Sequence, residues 1–167
     1  MTARELMSTP PQTCQPTTDL AAVTQLMWNH DCGFVPVVEA DGHLAGVVTD
    51  RDICMAAATR HVKPEAVRVA DVMSSRLATV RAHDDVSVAL EKLGSERVHR
   101  LPVVDADGRL EGIVSINDLV LHTDPSARRG QVLRDERPIE HLAAAAPTVD
   151  GSVEQQGLGV GKTVHEV

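Results

Sequence analysis

The chain has 167 residues, enough for one ordinary domain or two small halves sharing a core, and too few for a catalytic barrel plus a regulatory domain. Hydrophobic residues make up 43%, yet Trp28 and Phe34 are the only aromatics and tyrosine is absent, so the core must be aliphatic. A formal net charge of −8 argues against a nucleic-acid partner, and no apolar run of about 18 residues is present to cross a membrane.

In chain order, Met1 to Pro11 lacks the basic and apolar regions of a signal peptide, which makes the cytoplasm the expected location. After an extended lead-in near Thr13, Leu20, Val23 and Met27 form one apolar stripe and predict a helix. Val35-Pro36-Val37-Val38, a turn at Asp41-Gly42 and the run Leu44 to Val48 predict a β-hairpin, and a second helix should begin at Thr49. Ala57 to Glu65, with Pro64, is expected to be a linker.

The order then repeats. Shifted by 66 residues, the stretch from Ala3 to Cys54 aligns without gaps on Val69 to Val120, with fourteen identical pairs. Met7 matches Met73, Asp19 Asp85, Pro36 Pro102, Gly42 Gly108, Gly46 Gly112 and Asp52 Asp118. The second copy predicts a helical stripe of Val86, Leu90 and Leu93, a hairpin from Leu101 to Val114 turning at Asp107-Gly108, and a helix from Ser115. A unit of about 50 residues buries its sheet poorly alone, so the expected fold is α/β (α+β), two copies packed with pseudo-twofold symmetry. The expected boundaries are 1–60, 61–124 and a partly flexible tail at 125–167, whose composition shifts through Arg and Glu to Ala143–Ala146 and then to Gly, Gln and Ser.

The segments Gly46-Val-Val-Thr-Asp-Arg-Asp52 and Gly112-Ile-Val-Ser-Ile-Asn-Asp118 put a hydroxyl residue where a strand becomes a helix, with an aspartate three residues on. Free N–H groups and the positive dipole end can hold a phosphate there, helped by Thr49 or Ser115, and a carboxylate can accept two ribose hydroxyls. The same spacing is also a helix capping box, and recurrence does not separate the two readings because both helices need a start.

In this combination the chain resembles the paired CBS motifs of a Bateman module, over roughly Ala3 to Val120. The resemblance implies that Asp52 and Asp118 bind ribose and that Thr49 and Ser115 bind phosphate or ribose. It also implies that the backbone beside Val35-Pro36 and Leu101-Pro102, with Thr13 and Thr79, lines an adenine pocket. His99-Arg100 before Leu101-Pro102 looks like the His-Arg-Leu-Pro-Val stretch of AMP-activated protein kinase γ subunits, where basic residues meet phosphates. Arg100 aligns with Phe34, and Arg51 with Asn117, so the two clefts need not have equal affinity and one filled site per chain is expected.

The implied function is a regulatory sensor of an adenosine nucleotide that requires no cofactor, forms a homodimer and acts on an effector protein outside this chain. There is no GxSxG, Walker or HExxH motif to suggest an enzyme, and His30 and His61 are expected at helix ends or on the surface. Two alternatives stay open: a ligand-free dimerisation scaffold, and a thiol or metal site drawn from Cys14, Cys32, His30 and His99. The three cysteines, Cys14, Cys32 and Cys54, form no CxxC pair and are expected to be reduced and structural.

Overall fold

The computed structural model describes residues 1–123, so the tail expected at 125–167 lies outside the described residues. The first copy comprises a short lead-in helix α1 (Ala3–Leu6), α2 (Leu20–Asn29), a hairpin of β1 (Phe34–Val38) and β2 (Leu44–Thr49), and α3 (Asp50–Arg60). The second comprises β3 (Val80–Arg81), α4 (Val86–Ser95), a hairpin of β4 (Arg100–Val104) and β5 (Leu110–Ser115), and α5 (Ile116–Thr123). The fold is mixed α/β, as the alternating helical and strand patterns predict.

Asp19 caps α2 by accepting the Ala22 N–H at 2.8 Å, and Asp85 caps α4 by accepting the Ser87 N–H at 2.9 Å. The α2 stripe of Leu20, Val23 and Met27 is buried as expected. On α4 the expectation fails at one position: Leu90 is exposed, and Ala89 takes the core position with Leu93. The spacing i, i+3, i+7 from Val86 repeats that of α2, so Leu90 occupies the solvent-facing place of Thr24. The linker expected from Ala57 also begins later, because α3 continues to Arg60 through three good helix formers, Ala56 to Ala58. His61 ends it in the left-handed conformation, and His30 closes α2.

Each hairpin turns through a glycine at positive φ, +88° at Gly42 and +85° at Gly108, where a side chain would be strained. The two tips pair with each other: the Leu44 N–H donates to the Gly108 carbonyl and the Leu110 N–H to the Gly42 carbonyl, both at 3.1 Å. This reciprocal pair of bonds lies on the pseudo-twofold between the copies. Beside each hairpin runs a parallel partner, β3 against β4 and, in the first copy, a single bridge from Cys14 to Val37.

The lead-in segments are exchanged between the copies. Ala3 and Leu6 are buried with Val80, Ala89, Leu101, Val103 and Val114 of the second copy. Val67 and Val69, at the entry of the second copy, are buried with Leu20, Val23, Val35, Val37 and Val48 of the first. Backbone bonds hold the exchange: the Ser8 N–H donates to the Ile113 carbonyl and the Ser74 N–H to the Val47 carbonyl, each at 2.9 Å. Two aliphatic cores result, each completed by the lead-in of the other copy, and full burial of a valine or leucine side chain there contributes about 1.5–3 kcal/mol.

Candidate functional site

At the two strand-to-helix junctions the capping boxes form in full. Asp52 Oδ2 accepts the Thr49 N–H at 2.9 Å and its hydroxyl at 2.7 Å, and Asp118 Oδ2 accepts the Ser115 N–H at 2.7 Å and its hydroxyl at 2.6 Å. One oxygen of each carboxylate is therefore committed to starting its own helix. The other oxygen, Oδ1, has no such bond and is the one that could meet a ligand.

Thr49, Arg51 and Asp52 line a cavity of about 480 Å³ whose opposite wall is the second copy. That wall supplies Arg76, Leu77 and Ala78 from the segment joining the two cores, Arg97, Val98 and His99 from the end of α4, and Arg100 and Pro102 from β4. Ser74 also lines the cavity, where Gly46 leaves room for Met73 and the Ser74 backbone to cross the hairpin. A volume of this size, with apolar walls and a few convergent polar groups, is typical of a small-molecule site.

The electrostatics differ from what the alignment suggests. Arg51 and Arg100 belong to different copies and so seem divided between two clefts when the repeats are laid side by side. The twofold turns the copies face to face, and both arginines line the same cavity. Arg76 and Arg97 join them, and neither is singled out by the sequence reading. The 66-residue offset matches Arg51, Arg76 and Arg97 with Asn117, Pro10 and Asp31, while Phe34, the counterpart of Arg100, lines the large cavity too. Four arginines thus line one cavity, together with Asp50 and Asp52. Among the described residues Arg51, Arg97 and Arg100 make no ion pair, while Arg76 lies 3.7 Å from Glu96 with its side chain 92% exposed.

Of the other expected site residues, Ser115 lies with Arg100 and His99 around an adjoining depression of about 290 Å³. Asp118 sits at the junction related to Asp52 by the twofold. Val35, Pro36 and Leu101 are buried in or against the cores, so only their backbone could face a ligand. Thr13 and Thr79 do not line the large cavity, and the Thr79 carbonyl instead accepts a bond from Lys92 Nζ at 2.6 Å.

Cys14 is buried, and burial pushes its thiol up to about 11, which suppresses the reactive thiolate. Among the described residues no group of three or more His, Cys, Asp or Glu side chains is arranged to hold a metal ion. No described helix is long and apolar enough to cross a membrane.

Two repeats exchanging their lead-ins around a shared arginine-lined cleft define a tandem-repeat module. The CBS domain family matches residues 3–59 and 69–123, and the chain belongs to that family as a tandem pair. It is 31% identical over 130 residues to the CBS domain-containing protein YhcV of Bacillus subtilis, covering 78% of this chain and 91% of that one. Inosine-5'-monophosphate dehydrogenase of Mycobacterium tuberculosis is 36% identical over 115 residues, which span 68% of this chain and only 21% of the dehydrogenase. Among solved structures, a CBS domain protein from Pyrobaculum aerophilum complexed with AMP superposes with a TM-score of 0.65 at 27% identity, covering 71% of this chain and 90% of the other.

Proposed function

We propose that the chain is a regulatory module that binds an adenosine nucleotide in the cleft between its two CBS motifs and carries out no chemistry of its own. One observation carries this reading: Thr49 and Asp52 of one copy and the arginines of the other converge on a single cavity of about 480 Å³. Asp52 Oδ1 would accept the ribose hydroxyls, and the N-terminus of α3 with Thr49 and the guanidiniums would hold phosphate. Apolar walls that include Phe34, with backbone donors and acceptors, suit an adenine ring. The AMP complex of the Pyrobaculum aerophilum relative supports this choice of ligand.

A ligand here touches both cores at once, so binding would favour one relative setting of the two copies over others. We propose that the setting is read by a cytoplasmic effector, through a homodimer formed by the outward helix faces. Exposed apolar side chains on those helices, Trp28 and Met55 in the first copy and Leu90 and Ile116 in the second, support that surface. A monomer at micromolar concentration would contradict the dimer.

A second reading, an interaction scaffold with empty clefts, draws on the capping boxes, which give both aspartates a structural role without any ligand. A thermal-shift and calorimetry screen of AMP, ADP, ATP, NAD, GTP and S-adenosylmethionine separates the two. At 100 times the dissociation constant a ligand stabilises the fold by about 2.7 kcal/mol. A response to adenosine compounds supports sensing, and silence with all of them leaves the scaffold.

A further inference from the structure

We infer that the cleft reads the length of a phosphate chain, preferring a nucleoside triphosphate to a monophosphate, with Arg76 and Arg97 as the residues that recognise phosphates beyond the first. The inference rests on the nucleotide reading above and deepens it. Four arginines line one cavity, and they come from four places: the first turn of α3, the segment joining the cores, the turn two residues beyond α4 and the start of β4. They therefore reach the cavity from both copies.

A terminal phosphate offers three oxygens, and a guanidinium engages them in a fork of two parallel bonds, so one phosphate satisfies about two arginines. Arg51 follows directly on Thr49 and Asp50 at the helix start, and Arg100 stands on the strand that carries Pro102. Those two are the natural partners of a phosphate attached to a ribose held by Asp52. Arg76 and Arg97 are then left over. The carboxylates in the cavity do not answer them: Asp52 is bonded to Thr49, and Asp50 accepts the Arg51 N–H at 2.7 Å. Arg76 has only Glu96, at 3.7 Å and largely in solvent, a contact that contributes little.

Arg97 adds a second line of argument. Its φ of +54° is the left-handed conformation that glycine adopts at least cost, and its counterpart Asp31 has a φ of +47° at the same place after α2. The backbone geometry is thus common to both copies, while the charge differs in sign. Only the copy facing Thr49 and Asp52 presents a cation there. A ligand with two or three phosphates gives each guanidinium a counter-charge, and a monophosphate leaves two without one.

The test is calorimetry of the full chain in magnesium-free buffer with AMP, ADP and ATP, on the wild type, Arg76→Gln and Arg97→Asn. Asparagine is chosen because it tolerates positive φ, and melting curves check that both variants fold. ATP should bind at least tenfold more tightly than AMP, with ADP between them. Each variant should remove most of that advantage while changing AMP affinity less than threefold. ATP binding no tighter than AMP would overturn the inference and leave the adenosine-nucleotide reading standing. An unchanged ATP-to-AMP ratio in Arg76→Gln, whose exposed side chain supports no packing, would overturn it as well. Absence of binding by all three would remove both readings together.

Discussion

Met7 lies on Gly112, at the far end of the other repeat: a methyl built on that glycine would come 2.7 Å from the Met7 sulfur and 3.0 Å from the Ser8 carbonyl oxygen. Met73 stands in the same relation to Gly46, with 2.8 Å to its sulfur and 3.0 Å to the Ser74 carbonyl. Both glycines are fixed by what crosses them and not by their own dihedral angles. Gly46→Ala and Gly112→Ala should therefore each destabilise the fold by about 1–3 kcal/mol through overpacking, measured by urea denaturation. Truncating Met7 should recover part of the loss in Gly112→Ala and none in Gly46→Ala.

Leu6 is expected to matter to the second copy more than to the first. It is buried with Leu101, Val103 and Val114, so Leu6→Ala opens a cavity under β4 and β5 and should cost about 2 kcal/mol or more. Hydrogen exchange should accelerate in β4 and β5 before it does in β1 and β2. Equal acceleration in both hairpins would contradict the exchange of lead-ins.

Asp52 and Asp118 make the same capping bonds but differ in their surroundings. Replacing either by alanine should lower stability by about 1 kcal/mol, since each loses a capping box. Only Asp52→Ala should also abolish nucleotide binding at the arginine-lined cavity, because Asp52 lines it with Thr49. Loss of affinity in both variants to the same degree would mean that helix fraying, not ligand contact, is being measured.

The cysteines should separate by reactivity. Cys54 is exposed and should be alkylated within the folded state, while Cys14 should react only on unfolding. Burial raises the Cys14 thiol to about 11, so the folded state favours the neutral form. The stability this contributes is complete below the usual thiol range and is lost as the pH rises towards 11. Between pH 9 and 11 the wild type should accordingly lose more stability than Cys14→Ala, as followed by thermal melting (the lower value is roughly where an unfolded thiol begins to ionise).

Much of this architecture was legible in the chain because the repeat is written in local patterns. The period of Leu20, Val23 and Met27, the Asp-Gly turns and the Thr-x-x-Asp boxes each concern neighbouring residues, and each forms where it was expected. The matched pairs Met7 with Met73 and Gly46 with Gly112 were visible too. What periodicity cannot give is that methionine and glycine meet crosswise between copies. The same reason hid half of the cleft. Arg51 and Arg100 aligned with different partners and read as separate charges, and Arg76 and Arg97 stand where the other copy has Pro10 and Asp31, so no repeated signal marked them. Leu90 misled for a simpler reason, since i+4 and i+3 both suit an apolar stripe and only the packing of Ala89 decides between them.

The exchanged lead-ins mean that the repeat boundary in the sequence is not a seam in the molecule. A fragment holding only the first copy would carry Ala3 and Leu6 with no core of its own to receive them, and would lack Val67 and Val69. Two such fragments could complete each other only by trading ends, as the linked copies do. The duplicated chain is in this sense a pair of interlocked halves made permanent by a covalent link, and the cleft lies where they clasp.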